Sequence, residues 1–182
     1  MDIVKKNKLR CLILAAMFLA IGLVLPFFTG QIPQIGKLLL PMHLPIFLCG
    51  MICGWHYGYA VGFILPLMRS LLFQMPVLYP TALAMAIELS VYGLAAGFIY
   101  ELIKKKNIVN VYVSLVSAML LGRAVSGAAK IVLYGTEGSP YTWQMFMTGA
   151  FANALPGILL QIIIVPAVMS AVHIVNKKTG WL

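Results

Sequence analysis

Residues 37–73 read KLLLPMHLPIFLCGMICGWHYGYAVGFILPLMRSLLF, and the fold turns on how this stretch is understood. Two prolines bracket a histidine in Pro41-Met42-His43-Leu44-Pro45. A Gly54-Trp55-His56-Tyr57-Gly58 hinge follows, and a second apolar run carries Pro66 and then Arg69. Glycines recur every four residues at 50, 54, 58 and 62, a spacing that shares one helix side and lets backbones approach closely. In lipid, so broken a helix is tolerated only where it is buried in protein or lines a cavity. The stretch therefore predicts a pocket in a membrane protein. It is read as a short helix over 43–54, a tight turn at Trp55-His56-Tyr57, and a helix over 58–74. The first of these rises only ~18 Å and cannot cross ~30 Å of hydrocarbon alone, so the Leu38–Leu40 approach is expected to lie within the membrane.

Composition supports that setting. Of 182 residues, 62% are hydrophobic and 9% charged, with a mean hydropathy of +0.99. Too few polar side chains remain to cover a water-facing surface, which places the chain in the helical membrane class. The formal charge of +9 does not imply nucleic acid, because most cations sit in short clusters beside apolar runs. Cys11, Cys49 and Cys53 all lie in apolar segments and offer no disulfide framework. The basic start (Lys5, Lys6, Lys8, Arg10) precedes an apolar run with no convincing cleavage site, and is read as a retained first helix.

The remaining spans are predicted at about 11–28, 81–102, 109–133 and 146–174. This makes an all-α integral membrane protein of six transmembrane helices, forming a single domain over 1–182. Loops are expected at 29–42, 75–80 and 134–145. The basic N-terminus, Lys104–Lys106 and Lys177-Lys178 fall on one side of a six-helix path. By the positive-inside rule that side, with both termini, is cytoplasmic and the three loops face outward.

Charges inside spans are costly and mark functional positions. Here they are Arg69, Glu88, Arg123 and Lys130. Arg123 and Lys130, seven apart, share a helix face, as do Glu88 and Tyr92, four apart. One reading pairs Arg69 with Glu88 in an ion pair locking two helices; the other gives both to a ligand. On either, two cations remain without an acidic partner in the membrane, so the pocket should prefer an anionic or acceptor-rich small molecule. His43 and Asn153 lie at comparable outer depths. His43 either bonds a loop carbonyl or meets ligand, and Trp143 with Tyr141 forms either a lid or an interfacial anchor.

Enzymatic and metal readings fare worse. Cys49, Cys53 and His56 have the spacing to meet a metal but lack a fourth ligand and polar surroundings. Gly30 to Lys37 superficially resembles a phosphate loop. However, five residues separate Gly30 from Gly36 where four are needed, and Leu38 stands where Ser or Thr would hold magnesium. There is no HExxH, no GxSxG and no paired Asp array. The chain is read as no enzyme, with no cofactor and no metal. Small residues pair at Ala16/Ala20 and Gly93/Gly97, suited to helix packing or to docking another membrane subunit.

Taken together, the AxxxA pair Ala16/Ala20, the run LPMHLPIFLCGMICGWHYG, the run PTALAMAIELSVYGLAAG and the six-span plan resemble the substrate-binding S components of energy-coupling factor (ECF) vitamin transporters. The resemblance covers essentially the whole chain and, within the family, points to the pantothenate-type group. It implies a protein that captures a water-soluble vitamin or precursor from outside. Such a protein docks through Ala16 and Ala20 on a membrane-embedded coupling subunit driven by two cytoplasmic ATPases. It also implies that loop 29–42 gates a pocket drawn from the predicted spans 81–102, 109–133 and 146–174 in a prokaryotic plasma membrane. Pyridoxine-like or hydroxymethylpyrimidine-like ligands, with Glu88 and Asn153 reading ring donors, stay open. A different class, the self-sufficient secondary transporter, would need an internal repeat or ion-coupling site, and residues 1–90 and 91–182 show no obvious repeat.

Overall fold

The computed structural model describes residues 8–28, 40–103, 107–136, 142–149 and 153–179. Most of the segment 29–42, the Lys104–Lys106 run and Tyr141 lie outside these. Among the described residues the elements are α1 (Lys8–Phe28), α2 (His43–Cys53), α3 (Trp55–Phe73) and a π-helical turn (Leu78–Ala82). Then come α4 (Leu83–Leu102), α5 (Ile108–Thr136), the short α6 (Trp143–Met147) and α7 (Leu155–Thr179). Four stretches are long and apolar enough to cross a membrane: Lys8–Phe28, Leu78–Leu102, Ile108–Thr136 and Leu155–Lys177.

The hub is α2. All eleven of its residues are buried, and it packs against α1, α3, α4 and α7. Its start is set by the prolines. Pro41 occupies the second position of a turn in which the His43 N–H donates to the Leu40 carbonyl at 3.1 Å. Pro45 falls in the first helical turn, where its missing N–H would have had no helical partner. The helix ends at Gly54, whose φ of 105° is open to glycine and strained for other residues. The break before α3 is thus this one residue. Trp55-His56-Tyr57, expected as a turn, is already the first turn of α3.

The glycine series then shows its purpose. A Cβ on Gly58 would lie 2.6 Å from both the Gly50 Cα and the Gly93 carbonyl oxygen, and one on Gly97 would lie 2.6 Å from the Gly50 oxygen. A Cβ on Gly62 would lie 2.6 Å from the Leu89 carbonyl carbon. α2, α3 and α4 therefore meet backbone to backbone. In lipid, where apolar burial drives little helix association, such close approach is a main source of packing energy. Outward faces carry large apolar side chains such as Leu12, Ile13, Leu120, Leu121 and Ile163, as a lipid-facing surface requires.

The last helix differs from expectation. Residues 146–174 are not one α-helix: α6 covers Trp143–Met147, residues 148 and 149 are π-helical, and α7 begins at Leu155. Pro156 stands in the first turn of α7, where a proline is tolerated because its missing N–H would have no helical partner. Asn153 lies in a turn before α7 and not within a helix. At the far end of the bundle, the Tyr100 hydroxyl and His173 Nε2, 2.6 Å apart, join α4 to α7.

Candidate functional site

Glu88 organises the polar interior. Its Oε1 accepts from the Tyr92 hydroxyl at 3.0 Å, one helical turn along α4. Its Oε2 accepts from the Ser126 hydroxyl at 2.6 Å and faces Lys130 Nζ at 3.5 Å. Arg123, Ser126 and Lys130 follow one another at spacings of three and four, so one face of α5 presents two cations and a hydroxyl to α4. The Arg123 side chain is buried on this same face.

Tyr92 is the hinge of this arrangement. Its ring lies 5.3 Å from that of His43 and 5.3 Å from that of Phe47, both on α2. On the other side it rests on Gly122, where any Cβ would collide with Cδ1 and Cε1 of the ring. α2, α4 and α5 thus converge on one phenol. His43 is buried, and its Nδ1 finds no hydrogen-bond partner of good geometry among the described residues.

Five of the eight residues singled out as ligand-facing come together here: His43, Glu88, Tyr92, Arg123 and Lys130. Arg69 does not. It donates to the Leu23 carbonyl of α1 at 3.1 Å and lies 5.7 Å from the ring centroids of Phe27 and Phe73. The expected Arg69–Glu88 pair is therefore replaced by Lys130–Glu88, because Arg69 points from α3 to α1 while Glu88 points to α5. Arg69 ties α1 to α3 as a buried cation sandwiched by aromatic rings.

Trp143 is 74% exposed. Its neighbour Phe146, 5.3 Å away between ring centroids, packs on Gly127 of α5 beside Ser126. Asn153 is exposed and lines an open depression of ≈ 410 Å³ with Thr142, Gln144, Met145, Thr148 and Gly149. Ala16 and Ala20 face outward from α1, while Ala15 turns into the bundle.

Sequence reading missed Ser126, Phe47 and Gly122. Ser126 was findable, since it falls between Arg123 and Lys130 on their shared face. Gly122 and Phe47 carried no chemical signal; their importance comes from the ring they flank. Cys49 and Cys53 are buried whereas His56 is exposed and stacked on Trp55. No group of three His, Cys, Asp or Glu side chains that could hold a metal ion occurs among the described residues.

The result is a largely enclosed cluster holding one carboxylate and two cations inside an apolar bundle, with Arg123 buried and Glu88 and Lys130 partly accessible, an arrangement suited to binding a small polar molecule by charge-assisted hydrogen bonds. No curated protein and no solved structure gives a significant match to the chain. Residues 10–169 match the family described as ECF transporter, substrate-specific component. The chain, a multi-pass helical membrane protein, belongs to that family: it is a substrate-specific component of an ECF importer, a binding component of a kind that works with a coupling subunit and ATPases on a small-molecule substrate.

Proposed function

We propose that the chain captures a pantothenate-like anionic vitamin or precursor and delivers it inward. The observation that carries this reading is the charge count of the interior cluster: buried Arg123 and partly buried Lys130 against the single carboxylate of Glu88. Both Glu88 oxygens accept from Tyr92 and Ser126, and the two cations outnumber the one carboxylate, so the surplus positive charge is what selects a ligand. A carboxylate on the ligand would restore neutrality in a low-dielectric interior, where an opposite charge is worth far more than in water.

The chain spans a prokaryotic plasma membrane six times, by α1, α2, α3, α4, α5 and α7, with both termini cytoplasmic. α3, at 19 residues, rises ~28 Å and is of spanning length. α2 is too short to cross alone and borrows the chain before it. Ala16 and Ala20, facing outward on α1, form the docking face for the membrane-embedded coupling subunit, which two cytoplasmic ATPases drive.

Calorimetric titration of the purified chain tests the ligand assignment. Pantothenate should bind tightly, and Arg123→Ala should weaken it roughly 10- to 100-fold, the worth of one or two charge-assisted hydrogen bonds. Tight binding of pyridoxine or hydroxymethylpyrimidine with no pantothenate binding would transfer the assignment to those ligands. Binding of none of the three would refute it.

A further inference from the structure

Gln161 is 1% exposed, and its Nε2 has no hydrogen-bond partner among the described residues. A buried amide left in this state is a standing cost to the fold unless something absent from the chain accepts its protons. Its position says what that is. Gly157, Gln161, Val165 and Met169 are buried at spacings of four, so they form the face of α7 that packs on α5 and α2.

Depth follows from the Tyr100–His173 contact. α4 and α5 are antiparallel, as the Glu88–Ser126 bond and the Tyr92–Gly122 contact show, and α7 runs back alongside in the direction of α4. Glu88 precedes Tyr100 by twelve positions, and Gln161 precedes His173 by twelve. At 1.5 Å per residue both stand ~18 Å from that contact. Gln161 is therefore level with Glu88, facing the two helices that carry Arg123, Ser126, Lys130 and His43.

We propose that Gln161 is a specificity-determining residue of the ligand site. Its amide donates to a neutral acceptor on the ligand, a carbonyl, hydroxyl or ring nitrogen, at the level where the cations take the charged end. This rests on reading the Glu88–Arg123 cluster as the ligand site. It adds a requirement that charge alone does not: a second, uncharged polar group on the same molecule. A simple monovalent anion would leave the amide unpaired and be rejected, because a site built to hydrogen-bond a group discriminates strongly against molecules lacking it.

The test compares wild type, Gln161→Leu, Gln161→Met and Arg123→Ala. Each is measured by thermal unfolding without ligand and by calorimetric titration with pantothenate, pyridoxine and hydroxymethylpyrimidine. Both Gln161 variants remove the amide at similar volume, so the ligand-free unfolding midpoint should stay level or rise while affinity falls roughly 10-fold or more. A lower midpoint in both variants, or affinity within about twofold of wild type, would overturn the proposal. Loss of binding in Arg123→Ala alone removes Gln161 from the site and leaves the cluster; loss in neither removes both. Should wild type bind none of the three compounds, the vitamin assignment falls separately. Mass-spectrometric occupancy by a co-purifying metabolite then decides for Gln161, with equal occupancy in wild type and Gln161→Leu counting against it.

Discussion

Replacing Gly122 with alanine adds a single carbon at the point where α5 supports the Tyr92 ring. That carbon would fall on Cδ1 and Cε1 and lie 3.0 Å from Cζ, so the ring must retreat by roughly 1 Å to regain ordinary contact. Two things oppose the retreat. The ring is backed by His43 and Phe47, each 5.3 Å away between centroids, and its hydroxyl is held by Glu88 at 3.0 Å. Overpacking of this kind costs about 1–3 kcal/mol, and loosening a hydrogen bond to a carboxylate adds about 1 kcal/mol. The expected penalty is about 3 kcal/mol, or a thermal midpoint lower by roughly 6–12 °C. Because the ring and not a backbone must yield, ligand affinity should fall as well. The decisive measurement is a double-mutant cycle with Tyr92→Ala, which empties the space the new methyl needs. The Gly122→Ala penalty should shrink by more than half in that background. An unchanged penalty would mean that Gly122 matters for a reason other than the Tyr92 ring, and the account of the site's geometry would be wrong.

Arg69→Met should lower the unfolding midpoint, with a cost of about 2 kcal/mol from the lost bond to Leu23 and the aromatic sandwich. Ligand affinity should stay within about twofold, since the side chain faces α1; a selective loss of binding would return Arg69 to the ligand site. Ala16→Trp and Ala20→Trp should abolish uptake in a reconstituted importer while leaving the affinity of the isolated chain intact. Loss of binding in either would remove the docking role of that face.

What could be read from the sequence and what could not divide along a physical line. Local spacing was informative: Arg123 with Lys130, and Glu88 with Tyr92, share faces because a helix repeats every 3.6 residues. The glycine series at 50, 54, 58 and 62 announced close packing for the same reason. Rotation of one helix against another was not legible. Glu88 and Arg69 are the nearest opposite charges along the path, yet the backbone contact of Gly58 and Gly62 with α4 at Gly93 and Leu89 fixes a rotation that turns Glu88 toward α5. Its partner is thereby Lys130. The start of α7 was misplaced because residues 146–154 are apolar enough to extend a span, and hydropathy does not register that Pro156 suits a first turn. Gln161, one polar residue among many apolar ones, acquired meaning only once its depth could be counted from Tyr100 and His173.

The contacts among Gly50, Gly58, Gly93 and Gly97 carry a mechanical consequence. Where two helices touch through main chain, no rotamer is available to absorb a displacement, so α2, α3 and α4 behave as one rigid wall. Compliance is left to seams filled by side chains, such as the one where Gln161, Val165 and Met169 of α7 meet the rest of the bundle. A ligand entering such a structure meets an unyielding surface on one side and an adjustable one on the other. Selectivity by shape belongs to the first, and the small movements of admission and release to the second.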